Sequence, residues 1–270
     1  MGVRARVAVA GVTRAASHVL LAALAVMAAL PLAVMGVASF SLRWYYPSLL
    51  PDEYTTQAWT ELTAASSPVW AAMRGSVTVA AGTAVLATLI ALPAARQLAR
   101  ETRGARLVMT ALLLCPLVLP AFAAVMGVHV LFLRLGLADA PMGVILAHLI
   151  PAVPYATFLL SGTFARYDAR HEDIARTLGA PRSRVWWSVT LPLLLPGVLV
   201  AALLAFLVSW SEYLLTLIVG GAQVMTLPVL LMASAQGGDT ARTAALAVVY
   251  VLPALMIFVL VASRLRGWSA

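Results

Sequence analysis

Few side chains in this sequence are equipped for chemistry, and the informative ones stand in two places. Glu212 is the one carboxylate inside a long apolar run, flanked by Ser209 and Tyr213. An ionisable group at membrane depth is costly, so by default it faces a transport pathway or a partner chain. The alternative is a hydrogen-bonded structural acid at the seam between two paired chains. Glu172 and Asp173 occupy the second place, an arginine-rich stretch over residues 165–192. His129 and His148 also fall in apolar runs, without a carboxylate or cysteine at metal-ligand spacing, and read as structural polar residues. Cys115 is the single cysteine, so no intrachain disulfide can form. The HExxH and GxSxG patterns are absent, which argues against a membrane hydrolase. All 18 basic residues are arginine, so the lysine of a phosphate-gripping P-loop is missing as well. No catalytic residue and no metal site is expected. What remains is binding and movement.

The elements that must position these residues are set by composition. Hydrophobic residues make up 63% of the 270 and charged residues 10%, with a mean hydropathy of +0.97. A soluble domain carries about 25% charge. Six apolar runs are long enough to cross a bilayer, over about residues 18–40, 75–94, 107–133, 143–164, 191–219 and 244–262. An all-α, six-helix membrane bundle accounts for residues 1–270 as a single transmembrane domain. Prolines punctuate every run, among them Pro31, Pro93, Pro116, Pro120, Pro154, Pro196 and Pro253, and kinks are expected where they fall.

Arginine placement orients the set. The N-terminal tail, the segment between the second and third runs, the segment between the fourth and fifth, and the C-terminal tail hold most of them. All four fall on one side, the cytoplasmic side by the positive-inside rule, with both termini inside. The net charge of +8 is thereby explained by membrane topology, without a nucleic-acid partner. Residues 19–37 exceed the usual core of a signal peptide, and their removal would disturb the alternation, so the first run is expected to remain as a span.

The stretch over residues 165–192 predicts two short helices with a turn between them. Asp168 can cap the first, with Glu172 and Asp173 early in it, where the helix dipole favours anions. Ile174, Ala175 and Leu178 share one face. Gly179 fits the helix stop, Pro181 the start of a second helix, and Trp186 and Trp187 the membrane interface. Such a helix can dock in a groove of a soluble partner; equally, its acids can merely cap a charged connector.

This stretch resembles the EAA loop of permease subunits in binding-protein-dependent ABC importers. The family pattern is an acidic residue, two alanines, three variable residues, glycine, nine residues, isoleucine, one residue, then leucine-proline. Here Asp173, Ile174 and Ala175 take the first places, followed by Gly179, Val189 and Leu191-Pro192. Ile174 replaces an alanine and Val189 the isoleucine, while Glu172 offers an acid one place early. Further likeness lies in Ser76, Pro93 and Arg100, in Pro116 and Pro120, in Ala147-His148 with Pro154-Tyr155, and in Thr226-Leu227-Pro228. Ser209-Trp210-Ser211-Glu212-Tyr213 is similar to an acidic site frequent in the fifth span, with Ser211 where asparagine is common.

The resemblance implies a type I importer permease in the bacterial cytoplasmic membrane. It implies pairing with a second permease, identical or not, two ATPase subunits that carry ATP and magnesium, and an extracytoplasmic solute-binding protein. No cofactor is expected on this chain. Glu172, Asp173, Ile174, Ala175, Leu178 and Gly179 would form the coupling helix, and Ser209, Glu212 and Tyr213 would touch the translocation pathway. The Ser-Glu-Tyr region and the segment at residues 43–47 resemble the polyamine, thiamine and ferric-iron branch. A self-sufficient secondary transporter is the competing class; internal repeats and several buried charges would mark it.

Overall fold

The structure, a computed structural model, describes residues 3–44 and 47–266, with the side chains of residues 3–17, 28, 265 and 266 excepted. Tyr45 and Tyr46 of the segment at residues 43–47, and the side chains of Arg4, Arg6, Arg14 and Arg266, therefore lie outside the described residues. Helix dominates, as the apolar composition requires: a backbone in hydrocarbon must satisfy its own polar groups.

The chain forms two compact units. The first holds residues 1–67 and 234–249. In it the long helix α1 (Val3–Ala38) leads into a short antiparallel pair, β1 (Ser41–Arg43) with β2 (Glu53–Tyr54), and then α2 (Gln57–Thr63). Phe40 stacks on Trp59 with ring centroids 5.7 Å apart, and Trp59 Nε1 donates to Ser39 Oγ at 3.2 Å.

The second unit holds residues 68–233 and the chain from Tyr250 onward. Its elements are α3 (Pro68–Arg100), α4 (Arg103–Val118), α5 (Ala121–Leu135), α6 (Pro141–Arg166), α7 (Arg170–Thr177), α8 (Arg182–Val185), a π-helical turn (Trp186–Thr190), α9 (Leu191–Ser211), α10 (Leu214–Val219) and α11 (Leu227–Gln236). The last helix, α12 (Thr240–Arg266), begins in the first unit and ends in the second. Helices α3, α6 and α9 pack on one another through a seam of small residues. Ala84, Ala87, Ala91 and Ala95 of α3 meet Ala152 and Ala156 of α6 and Ala201 and Ala205 of α9, all buried. Small side chains let membrane helices approach closely, which gains van der Waals contact where lipid offers no hydrophobic drive.

Among the described residues, five helical segments are long and apolar enough to span a membrane, and a sixth span results if α4 and α5 count as one. The six expected spans are thus present, with one correction. The third kinks at its prolines as expected, by 93° between α4 and α5. Leu119 is extended (φ −66°, ψ 146°), as a residue before proline prefers, and Pro120 has no N–H to continue the ladder. The fifth does not run unbroken to residue 219. Helix α9 stops at Ser211, Glu212 is extended (φ −76°, ψ 115°), and α10 restarts at Leu214. Gly221, in the left-handed region at φ 52°, lies in the turn that follows.

Candidate functional site

The loop helix α7 forms where local chemistry places it. Asp168 Oδ1 accepts from the Arg170 backbone N–H at 3.0 Å, which satisfies one of the donors exposed at a helix start. Its C-terminus closes with two bonds, Gly179 N–H to Arg176 O at 2.9 Å and Ala180 N–H to Ala175 O at 3.1 Å. This double closure is the Schellman motif. It puts Gly179 at φ 80°, where a Cβ would cost about 1–2 kcal/mol. The second helix differs from expectation. It is not a short separate piece, because α8 runs through the π turn directly into α9, and the Leu191 N–H reaches back to Trp186 O. Pro192 accounts for the widened turn. Its ring would press on the carbonyl four residues earlier, and one extra residue in the turn moves that carbonyl aside.

The two sides of α7 are unlike. Ile174 is 59% exposed, Leu178 82%, and Asp173 is exposed as well, while Ala175 is half-buried. Glu172, one residue from Asp173, is only 4% exposed and points the other way. Arg96 Nη2, near the end of α3, donates to both its carboxylate oxygens at 2.8 and 3.0 Å. Thr190 Oγ1 of the π turn donates to Oε1 at 3.1 Å, and Arg176 Nη2 lies 3.6 Å from Oε2. The Arg96 guanidinium also sits over the Trp186 ring, 5.6 Å from its centroid, a favourable cation–π distance. A buried carboxylate persists only with such partners. Tyr167 closes the group, its hydroxyl 3.5 Å from Thr190 Oγ1. Burial raises its phenol pKa, and the Thr190 bond partly offsets that.

Of the six loop residues singled out from the sequence, Asp173, Ile174 and Leu178 thus form an exposed acidic and apolar face. Glu172 is the pin that holds α7 to α3 and to the turn before α9, and Gly179 sets where the helix stops. Arg96, Thr190 and Trp186 were not foreseen in this role. Arg96 read only as one of several positive-inside arginines, and no local pattern links it to a residue in a different loop.

The second candidate set sits at the break in α9. Ser209 Oγ is buried 2.7 Å from His148 Nδ1, and His148 Nε2 is 3.0 Å from Thr216 Oγ1. One α6 histidine therefore bridges both sides of the break, a structural polar role as expected. Glu212 is half-buried, and its Oε1 accepts from the Leu215 N–H at 3.3 Å, capping α10. Ser209 and Glu212 thus have separate partners, and Tyr213 between α9 and α10 is half-buried. Nearby, Ser76 Oγ of α3 accepts from the Leu227 N–H at 2.8 Å and so caps α11. A Cβ on Gly75 would lie 2.1 Å from Met225 O, so glycine is what lets that chain segment reach α3.

Residues 87–268 match the model of the family described as binding-protein-dependent transport system inner membrane component. The chain belongs to this family. It is an ABC importer permease, a multi-pass transport subunit. ORF1 of Streptomyces antibioticus, named as an ABC transporter permease, is 33% identical over 75% of this chain and 90% of its own. The molybdenum transport permease ModB of Mycobacterium tuberculosis is 39% identical over 61% of this chain and 66% of its own. The putrescine transport permease PotI of Escherichia coli is 29% identical over 78% and 72%. Among solved structures, a bacterial ABC transporter for import of the acidic polysaccharide alginate superposes with a TM-score of 0.73 at 20% identity, over 97% of the permease and 98% of that chain. At that identity the likeness speaks for the fold.

Proposed function

We propose that α7 of this permease is the element on which an ATPase subunit docks. Its movement would switch a pathway built by two paired permeases acting each as one transmembrane domain. The observation that carries the reading is the two-sidedness of α7. An exposed Ile174 and Leu178 face is backed by a buried Glu172 tied to Arg96 and Thr190. A helix docked in a partner's groove gains from apolar anchors, and it transmits force only if its far side is fastened to the spans. Here the fastening reaches α3 through Arg96 and α9 through Thr190.

In this reading the arginine-rich side faces the cytoplasm of a bacterial cell, with both termini inside. ATP and magnesium are held by the partner, and no cofactor by the permease. A solute-binding protein on the opposite side delivers a small solute; one solved relative of the fold is a complex with an alginate pentasaccharide-bound periplasmic protein. Glu212 with Ser209 and Tyr213 would line the route where α9 breaks, since interrupted helices form the sites of many transporters. Membership of the importer family replaces the secondary-transporter alternative. Named relatives handle molybdenum and putrescine, and solute choice is assigned to the binding protein.

Co-expression with an ATPase subunit of the same importer tests the docking. Ile174→Asp with Leu178→Asp should abolish co-purification of the ATPase while the permease still inserts. Undiminished co-purification would end the proposal.

A further inference from the structure

Two cavities lie end to end along α3. One is a cleft of about 330 Å3 whose lining includes Arg96, Arg100, Arg176 and Arg182, with Glu172 as its single carboxylate and Trp186 at its side. The other is an apolar groove of about 610 Å3 between α3 and α9, lined by Leu89, Leu92, Pro93, Trp187 and Leu195, and again by Trp186. The shared tryptophan makes them neighbours. Leu89, Pro93, Arg96 and Arg100 follow one another at four- and three-residue steps, with Leu92 beside Pro93, which puts them on one stripe of α3. From Leu89 to Arg100 that stripe is about 16 Å long, apolar at one end and cationic at the other.

The charge of the cleft is not balanced by its own lining. Arg96 and Arg176 share Glu172, while Arg100 and Arg182 are exposed at its edge. Glu101, next in sequence to Arg100, is hydrogen-bonded by Gln97 and does not line the cleft. A soluble anion would have use for the arginines and none for the groove. A docked protein would engage Ile174 and Leu178 and leave the groove, with its exposed Leu89 and Trp187, to hydrocarbon. An anionic amphiphile matches both parts, and basic pockets between spanning helices are suited to anionic headgroups.

We propose that the arginine cleft and the apolar groove together bind one anionic phospholipid. Its phosphate sits among Arg96, Arg100 and Arg182, and an acyl chain lies along Leu89, Leu92 and Leu195. The site is separate from the exposed face of α7 and does not depend on ATPase docking there.

Native mass spectrometry of the purified permease, offered phosphatidylglycerol and phosphatidylcholine in equal amounts, tests this. Phosphatidylglycerol should be retained in preference. Near a membrane surface each arginine contributes about fivefold in affinity, so Arg100→Gln with Arg182→Gln should weaken retention roughly 30-fold. Arg100→Lys with Arg182→Lys should largely preserve it. Leu89→Trp with Leu195→Trp, which fills the groove and leaves every charge, should also expel the lipid. Melting temperature serves as the control for folding in each variant. Equal retention of the two lipids by the unaltered protein would overturn the proposal. So would retention in the groove-filled variant with displacement by inorganic phosphate, the mark of a soluble-anion site. Glutamine variants that lose only ATPase co-purification would point to a protein contact and overturn it equally.

Discussion

Replacing Glu172 by glutamine keeps the shape of the clamp and removes its charge. The amide oxygen can still accept from Thr190 or Arg96, so packing is nearly unchanged, and what is lost is the charged, two-oxygen grip on one guanidinium. Breaking a fully buried ion pair costs about 3–5 kcal/mol. The Arg96 side chain, however, is 28% exposed and regains water, so the expected cost is about 1–2 kcal/mol. A double-mutant cycle isolates the pair: Glu172→Gln, Arg96→Gln and both together, each read by thermal unfolding in detergent and by solute-stimulated ATP hydrolysis of the assembled importer. If the carboxylate and guanidinium act as a unit, the double variant is little worse than either single one, with a coupling of about 1 kcal/mol or more. Stimulated hydrolysis should fall in all three while basal hydrolysis by the ATPase persists. Two outcomes refute the reasoning. Losses that add within about 0.5 kcal/mol would mean that the two side chains are neighbours without a shared role. Full stimulation in the charge-free pair would mean that α7 transmits nothing through α3.

Three other perturbations have definite outcomes. Gly179→Pro cannot adopt the left-handed backbone of the α7 stop and should abolish stimulated ATP hydrolysis with membrane insertion intact, checked by membrane fractionation. His148→Phe leaves the buried Ser209 hydroxyl without its partner, while Thr216 Oγ1 still donates to Glu212 O at 3.2 Å; the cost should be about 1–3 kcal/mol, read as a lowered melting temperature. Glu212→Gln should alter uptake kinetics while barely moving the melting temperature, because an amide oxygen can still accept from Leu215; wild-type uptake would remove this acid from the pathway.

What could be read from the sequence was what is local. The six spans follow from apolar length, and the bend between α4 and α5 from Pro120 and the preference of the residue before it. The course of α7, from Asp168 to Gly179, follows from capping chemistry alone. The clamp was hidden because Arg96 and Glu172 are 76 residues apart, and no periodicity relates an arginine at the end of one span to an acid in another loop. The same holds for His148, whose partners Ser209 and Thr216 lie beyond 60 residues away. The stop of α9 at Ser211 was missed for another reason. Neither proline nor glycine marks it, and the carboxylate that caps the next helix looked from composition like a buried charge in an unbroken run.

The widened turn at Trp186–Thr190 makes this stretch a counting device. Each residue in an α-helix advances the azimuth by about 100°, and α8 joins α9 with no slack between them. The turn already holds one residue more than an α turn, so lengthening the stretch by another would not simply carry α7 away from the spans. It would swing Trp186 and everything before it by about a quarter-turn, leaving Arg96 without its aromatic platform and Glu172 aimed at a different neighbour. Chain length here is limited by phase rather than by reach, so substitutions should be tolerated far better than single-residue insertions.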